Sequence, residues 1–176
     1  MKFCSECGSP NLTRRVPEGD HRQRYVCPDC GTVHYKNPLV VCGVVPVYGD
    51  KVLLCKRGIE PRHGKWTLPA GFMELEESVE EGAQRELLEE AVATVELGPL
   101  LSVLSVPRIG QVHIMFQGTM KEPRFETTPE STEVRLYSED EIPWDEIAFR
   151  TVALTLKHYF ECRKTGAFPV ARETLR

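Results

Sequence analysis

The stretch from Gly71 to Ala93 reads GFMELEESVEEGAQRELLEEAVA, and its spacing of apolar and acidic residues decides the fold prediction. Ser78 followed by Glu81 has the Ser-x-x-Glu form of a capping box, which indicates a helix with Ser78 as its N-cap. The buried face of this helix is predicted from apolar residues at every fourth position: Val79, Ala83, Leu87 and Ala91. The sequence therefore predicts an amphipathic helix over residues 78–91.

Three carboxylates of this helix, Glu86, Glu89 and Glu90, stand at positions i, i+3 and i+4 and share one side of it. Unpaired, they repel one another, whereas a divalent cation turns the same spacing into a binding site. Ligation by oxygen alone suits Mg²⁺ or Mn²⁺. Arg85 precedes Glu89 by four residues and can hold that carboxylate in place. The alternative interpretation is an acidic helix face in contact with solvent, in a chain with 26 acidic residues.

Outward from this helix the chain alternates between strand-like and helical segments. A β-branched run at 40–47 and a second apolar run after the turn at Tyr48-Gly49-Asp50 predict two strands. Further strands are expected at 94–105, 111–120 and 133–138, and a second helix over 147–164, ending before Gly166. Two principal helices among many strands indicate an α+β or an α/β/α arrangement.

The N-terminal segment carries two C-x2-C pairs, Cys4-Ser-Glu-Cys7 and Cys27-Pro-Asp-Cys30, each followed directly by glycine. Four thiolates in this arrangement are typical of structural zinc, and the glycines let backbone amides turn toward the sulfurs. A redox role is disfavoured, because no thioredoxin-like βαβ pattern surrounds either pair. We therefore predict a zinc ribbon over residues 1–37, a larger α/β domain over 38–170 and a tail over 171–176.

Composition and charge set broader limits. The chain has 176 residues, 27% of them charged and 41% hydrophobic, which is ordinary globular composition. No run approaches the ~20 apolar residues that span a bilayer, so we expect no membrane partner. The first residues lack a signal-peptide pattern, which leads us to expect a cytoplasmic protein. Seven cysteines, an odd number, then fit four metal ligands and three buried thiols (Cys42, Cys55 and Cys162) better than a disulfide framework.

The stretch 71–93 resembles the Nudix box, in which a glycine, a glutamate and an Arg-Glu-apolar-x-Glu-Glu run stand at fixed spacing. The matching residues are Gly71, Glu77, Arg85, Glu86, Leu87, Glu89, Glu90 and Ala93. Val92 departs from the pattern, because the family has a second glycine there. Glycine eases a left-handed turn at a helix end, so we expect the helix to end along a different path.

The resemblance implies a Nudix α/β/α sandwich, in which a mixed sheet lies between helices, and hydrolysis of a nucleoside diphosphate linked to another moiety. It also implies that the Gly71 carbonyl completes a Mg²⁺ shell with Glu86, Glu89 and Glu90, and that Arg85 and Glu77 belong to the site. Glu133 looks like the late glutamate that some members use as a further ligand or base, with Glu130 as the second choice. Which glutamate is the base stays open among Glu86, Glu89, Glu90 and Glu133.

Segments outside the box resemble FAD and ADP-ribose hydrolases of the family, which leads us to expect FAD or ADP-ribose as the substrate. Trp66 and Arg57 are candidates to stack on a ring and to reach a phosphate; Phe116, Tyr137 and Arg108 are further ones. For all five, core packing or a solvated position is the alternative. By resemblance we also expect a homodimer.

Two other functions agree with parts of the sequence. NADH pyrophosphatases, which also remove NAD caps from RNA, share the zinc ribbon, but their Ser-Gln-Pro-Trp-Pro-Phe-Pro run is absent here. A nucleic-acid-binding protein is the other alternative, since the ribbon carries Arg14, Arg15, Arg22 and Arg24. We do not expect a nucleic-acid partner, because the net charge is −4 and the acidic residues of the box are intact.

Overall fold

In the computed structural model, which describes residues Met1–Arg176, the chain divides into the units Met1–Asn37 and Pro38–Arg176. The first unit is a three-stranded antiparallel sheet in the order β1-β2-β3, with β1 Thr13–Arg15, β2 Arg24–Val26 and β3 Val33–His34. Gly8 and Gly31 adopt φ of 72° and 78° and donate their N–H groups to the carbonyls of Cys4 and Cys27. Each C-x2-C pair is thereby closed into a tight turn, in which the glycine amides donate to carbonyl oxygens of the cysteines.

The second unit is built on one mixed sheet. Its strands are β4 Leu39–Tyr48, β5 Lys51–Arg57, β6 Trp66–Thr67, β7 Ala70–Phe72, β8 Glu96–Val106, β9 Gln111–Thr119, β10 Ser131–Tyr137 and β11 Ala171–Thr174. The order is β10-β5-β4-β9-β8-β11, with β6 beside β5 and β7 beside β4. The β4–β9 and β8–β11 pairs are parallel, and the other pairs are antiparallel.

Two helices, α1 Val79–Ala91 and α2 Arg150–Thr165, cover the two faces of this sheet. Side chains of β4 alternate between the faces, since Val44 packs with α1 and Val45 packs with α2. The central position of β4 explains why its residues are buried on both faces. The α/β/α sandwich is therefore confirmed. No helix of the chain is both long enough and apolar enough to cross a membrane.

The structure differs from the sequence prediction at the C-terminal end of the chain. The second helix begins at Arg150 rather than at 147, because Ile147 bridges to Trp66 and Ala148 donates to the Trp66 carbonyl at 2.8 Å, which keeps this segment extended. Residues 171–176 are not a free tail. β11 adds to the sheet edge along β8, and Leu175 is buried behind it.

Candidate active site

Arg85 joins the acidic residues that the sequence places in this site. Its guanidinium donates to both carboxylate oxygens of Glu77 at 2.9 Å, to Glu86 Oε1 at 2.7 Å and to Glu89 Oε2 at 3.0 Å. It also donates to the Phe72 carbonyl at 3.1 Å. The sequence predicted the bond to Glu89 alone. The planar fork of arginine explains how one side chain holds three carboxylates and the strand that precedes α1.

Glu77 is the residue that fixes Arg85. It accepts the N–H of Glu74 at 2.7 Å in addition to the two bonds from Arg85. Its hydrogen bonds with Arg85, followed by the one from Glu74, lower the pKa of Glu77 to about 2. Glu77 is therefore an ionised anchor at the entrance to α1. The capping box at Ser78 and Glu81 forms as predicted and begins the helix directly after this anchor.

Glu86 lies directly against the backbone of Gly71. A methyl group added at Gly71 would overlap the Glu86 carboxylate, so the two residues fit together only because position 71 has no side chain. Burial raises the pKa of Glu86, and Arg85 opposes that rise. The glycine that the Nudix box has at position 71 is therefore needed in this chain for a steric reason.

Glu90 is the least compensated acid of the site. It is 8% exposed, and its Oε2 atom is buried without a hydrogen-bond partner. Burial, followed by the neighbouring charge of Glu86, raises the pKa of Glu90 to about 8. A buried carboxylate oxygen without a partner is costly, and a bound cation would compensate it. Glu86 and Glu90 therefore fit a divalent ion held by oxygen ligands.

Glu89 has a different environment from Glu86 and Glu90, because its side chain is 60% exposed and pairs with Arg85. The carboxylate oxygens of the three glutamates are also less tightly grouped than the cysteine sulfurs of the first unit. A metal ion would have to draw Glu89 toward the other two residues. The three glutamates therefore lie on the same side of the helix, and a bound ion would bring their carboxylates together.

The two late glutamates lie in different places: Glu130 lies toward the candidate site, whereas Glu133, the first choice made from the sequence, lies on the other face of the sheet. Val134 of β10 packs on the α1 side of the sheet and Tyr137 on the α2 side, so alternation places Glu133 on the α2 side. There it pairs with Lys56 at 3.3 Å. Glu130 precedes β10, and its charge raises the pKa of both Glu86 and Glu90.

A loop after β9 brings Glu130 to this position. Glu126 donates its N–H to the Ala91 carbonyl at 2.8 Å, and Thr128 donates its hydroxyl to the Glu90 carbonyl at 3.3 Å. The segment before β10 is thereby tied to the C-terminal turn of α1. The sequence contained both glutamates, but only the register of β10 shows on which face of the sheet Glu133 lies.

The aromatic residues proposed to stack on a substrate lie in the core. Trp66 and Tyr137 pack edge to face with ring centroids 5.1 Å apart on the α2 side, and Phe116 packs on the α1 side. The core-packing alternative is therefore correct for all three. The charge of Arg57 partly opposes the rise that burial causes in the pKa of Glu90, while its side chain donates to the Pro61 carbonyl. Arg108 is exposed in the short turn at Pro107–Ile109.

The end of α1 also differs from the prediction. Val92 adopts φ 50° and ψ 34°, the left-handed conformation that glycine takes at helix ends, and its N–H donates to the Leu88 carbonyl. The chain therefore leaves α1 by the usual left-handed turn. A β-branched residue is strained in this conformation.

The four N-terminal cysteines form a second site, in the first unit. All four Sγ atoms lie within 4.8 Å of one another, with Cys4–Cys30 at 3.7 Å and Cys7–Cys27 at 3.6 Å. A tetrahedral ion with Zn–S bonds of about 2.3 Å requires sulfurs about 3.8 Å apart, so the thiolates fit zinc. All seven cysteines are free thiols, and Cys42, Cys55 and Cys162 are buried as predicted.

Comparisons with known proteins agree with this description. Residues 2–36 match the zinc-ribbon family described as Nudix N-terminal, and residues 37–156 match the NUDIX domain. Among curated proteins, the chain is 34% identical over 91 residues to an NAD-capped RNA hydrolase NudC of Vibrio cholerae and 36% identical over 91 residues to one of Pseudomonas aeruginosa. These matches cover 51% of this chain but only 31% and 30% of those proteins.

Two solved structures extend the comparison. A NUDIX hydrolase from Nitrosomonas europaea is 50% identical, with a TM-score of 0.95 over 99% of both chains. An ADP-ribose pyrophosphatase from Streptococcus suis is 21% identical, with a TM-score of 0.64 over 78% of this chain and 99% of that one. At this identity, the similarity to the Streptococcus suis protein shows only that the two proteins share a fold.

Proposed function

Since the chain belongs to the Nudix hydrolase family, we propose that it cleaves the diphosphate of a nucleoside diphosphate linked to another moiety, with FAD or ADP-ribose as substrate. The observation that carries this proposal is the buried pair Glu86 and Glu90, in which Glu90 Oε2 has no partner within the protein. A solvated acidic helix face would leave these carboxylates in water. Their burial is explained by a cation that the substrate site needs.

We propose that Glu86, Glu89 and Glu90 hold Mg²⁺, with Mn²⁺ as a substitute, and that Glu130 faces the same ions. When bound, such an ion neutralises the diphosphate and stabilises charge on its bridging oxygen. Arg85 keeps Glu86 and Glu89 in place through the bonds described above. The exposed position of Glu89 suits a site that opens to substrate.

In the reaction, the oxygen of one water molecule forms a bond to one phosphorus, and the bond from that phosphorus to the bridging oxygen breaks. One water proton passes to a carboxylate, and two monophosphate products leave. Glu86, Glu89, Glu90 and Glu130 are the candidate bases, since Glu133 lies on the other face of the sheet. Glu130 is the acceptor we favour, because Glu86 and Glu90 are already committed to the ions.

The test is a panel of FAD, ADP-ribose, NADH and NAD-capped RNA, incubated with Mg²⁺ and read by mass spectrometry. We expect FMN with AMP from FAD, or AMP with ribose 5-phosphate from ADP-ribose. Glu90→Gln serves as the matched inactive control, with a loss of about 10² or more in kcat. A wild-type enzyme that leaves the whole panel intact would refute the proposal.

NAD-capped RNA or NADH is the second candidate substrate, because the relatives from Vibrio cholerae and Pseudomonas aeruginosa are NAD-capped RNA hydrolases. The chain spans about a third of the length of these relatives, so their activity reaches it only as a proposal. Release of NMN from NAD-capped RNA, or of the reduced mononucleotide NMNH from NADH, with FAD and ADP-ribose intact, would favour this second function.

Two proposals concern the assembly. We propose that the four-cysteine site holds Zn²⁺, which elemental analysis of the purified protein measures as one zinc per chain. We also propose a homodimer, for which light scattering of the eluting protein should give twice the chain mass of 20.0 kDa.

A further inference from the structure

The loop between β5 and β6 (residues 58–65) has a preformed shape. Its ends are joined by two backbone bonds, from Arg57 N–H to the Lys65 carbonyl at 2.9 Å and from Gly64 N–H to the Arg57 carbonyl at 2.8 Å. The Arg57 side chain donates to the Pro61 carbonyl at 2.7 Å, and Lys65 N–H donates to the Arg62 carbonyl at 3.1 Å. These bonds fix the path of the loop before any ligand arrives.

The base of this loop stands beside the acidic residues of the candidate active site. Gly58 donates its N–H to the Glu130 carbonyl at 2.7 Å, and a Cβ at Gly58 would lie 2.7 Å from the Pro129 carbonyl. The loop and the Glu130 segment therefore form one rim of the site.

Arg62 is the exposed cation of this loop, whose other cation, Lys65, is half-buried, and the two cations of β5 next to the loop are already engaged. Lys56 is paired with Glu133, and Arg57 is bonded to Pro61 and packed over the Phe149 ring at 5.1 Å. Arg62 is exposed and forms no ion pair, even with the acidic residue of its own loop, Glu60.

The backbone of Arg62 is also unusual. Its φ is 68°, a left-handed conformation that glycine and asparagine adopt at lower cost. Strained residues of this kind concentrate at functional sites, where surrounding bonds hold them. Here the bonds of the loop hold a long cationic side chain in a conformation that a smaller residue would fill more easily.

We propose that Arg62 recognises a phosphate group of the substrate that lies outside the scissile diphosphate. This inference rests on the proposed function. The metal ions compensate only the diphosphate that is cleaved, so a further phosphate would meet the field of Glu77, Glu130 and their neighbours. An arginine on a fixed loop at the rim supplies the compensating charge and a planar fork that suits phosphate oxygens.

Two sources carry such a phosphate: a phosphate monoester on the ribose, and the phosphodiester chain of an NAD-capped RNA. Two matched pairs separate them. NADPH and NADH differ by one ribose phosphate, and an NAD-capped decanucleotide and NAD differ by the chain. Binding is measured by calorimetry on the full-length protein carrying Glu90→Gln, so that hydrolysis does not consume the ligand.

The decisive variant is Arg62→Asn, because asparagine accepts the left-handed backbone and removes the guanidinium. We expect the parent protein to bind the phosphate-bearing member of at least one pair more tightly. Arg62→Asn should reduce that preference about tenfold and reduce the salt slope of binding by about one. Arg62→Lys should restore part of it. Arg172→Asn, exposed on β11 at the far edge of the sheet, should leave the ratio unchanged.

Each outcome decides a different claim. An effect on the NADPH pair assigns the ribose phosphate, and an effect on the decanucleotide pair alone assigns the RNA chain. Equal preference with and without Arg62 in both pairs, or no preference in either, would overturn the inference. Failure of the proposed function is seen separately, as absence of hydrolysis by the wild-type enzyme across the panel.

Discussion

At the scale of single residues, Glu90 combines a cost to stability with a use in function. Its pKa is raised from 4.5 to about 8 by burial and by Glu86. A carboxyl with a raised pKa in the folded state binds its proton more tightly there than in the unfolded chain. Its ionisation therefore costs nothing below pH 4.5, and the cost grows as the pH rises toward 8.

The first prediction follows for the metal-free protein. Glu90→Gln should raise the free energy of unfolding at pH 8 by on the order of 4 kcal/mol, because the amide carries no charge to bury. The gain should vanish near pH 4.5, where the wild-type residue is already protonated. Urea denaturation across this range, with a chelator of divalent ions present, measures both values. A variant less stable than wild type at pH 8 would show that Glu90 is compensated within the protein.

The second prediction concerns the two late glutamates. Glu130→Gln should lower kcat by about 10² or more, since Glu130 stands beside Glu86 and Glu90. Glu133→Gln is the matched control, because that residue pairs with Lys56 on the α2 side of the sheet. Steady-state kinetics at saturating Mg²⁺ compare them. The reverse order of effects would return the role to Glu133.

The third prediction tests the strained end of α1. Val92→Gly should stabilise the protein by about 1 kcal/mol, because glycine removes the cost of a β-branched residue at φ 50°. Part of that gain is offset by the greater freedom of glycine in the unfolded chain. Thermal unfolding measures the change. A loss of stability would mean that Val92 makes contacts worth more than its strain.

At the scale of elements, two glycines of the sheet differ in what lies against them. Gly71 of β7 lies against the flexible end of Glu86, whereas Gly43 of β4 lies against the Pro69 carbonyl and Ala70. A side chain at position 71 can displace a carboxylate, but one at position 43 must move the β7 backbone.

The fourth prediction uses this difference. Gly71→Ala should change the unfolding free energy by less than about 1 kcal/mol but reduce kcat at least tenfold, because it moves a metal ligand. Gly43→Ala should destabilise the protein by about 1–3 kcal/mol through overpacking. Denaturation and kinetics on both variants give the comparison. Full activity in Gly71→Ala would show that the position of Glu86 is not critical.

The helices and strands differ in how well a local sequence pattern predicts them. The capping box and the fourfold apolar repeat located α1 to within a residue, because both are local signals. The start of α2 was missed, since the bonds of Ile147 and Ala148 to Trp66 join residues about 80 positions apart in the chain. The placement of Glu133 beside the other glutamates was not met for a related reason: it depends on the register of β10, which the local pattern does not contain. Trp66 looked like a ligand-stacking residue because a sequence does not show which aromatic rings the core uses.

At the scale of the whole molecule, the two units depend on different sources of stability. Residues 1–37 bury little apart from Val26 and two of the cysteines, so their fold needs a metal ion. Residues 38–176 have an apolar core on each face of their sheet.

The fifth prediction is that removal of zinc affects the units unequally. With a zinc chelator, the amides of residues 1–37 should lose protection from hydrogen exchange, whereas those of β4, β5 and β9 should keep it. Mass spectrometry of the peptides of the exchanged protein measures both. Equal loss throughout the chain would show that the larger unit also depends on the ribbon.

The proposed activity depends on metal capture by the acidic face of α1. The most direct measurement is an anomalous difference map from crystals grown with Mn²⁺ and a non-hydrolysable diphosphate analogue. We expect a manganese peak beside Glu86 and Glu90, within bonding distance of their carboxylate oxygens, with the analogue's phosphates on the same ion. A map in which the analogue is bound but no manganese lies beside these residues would contradict the account.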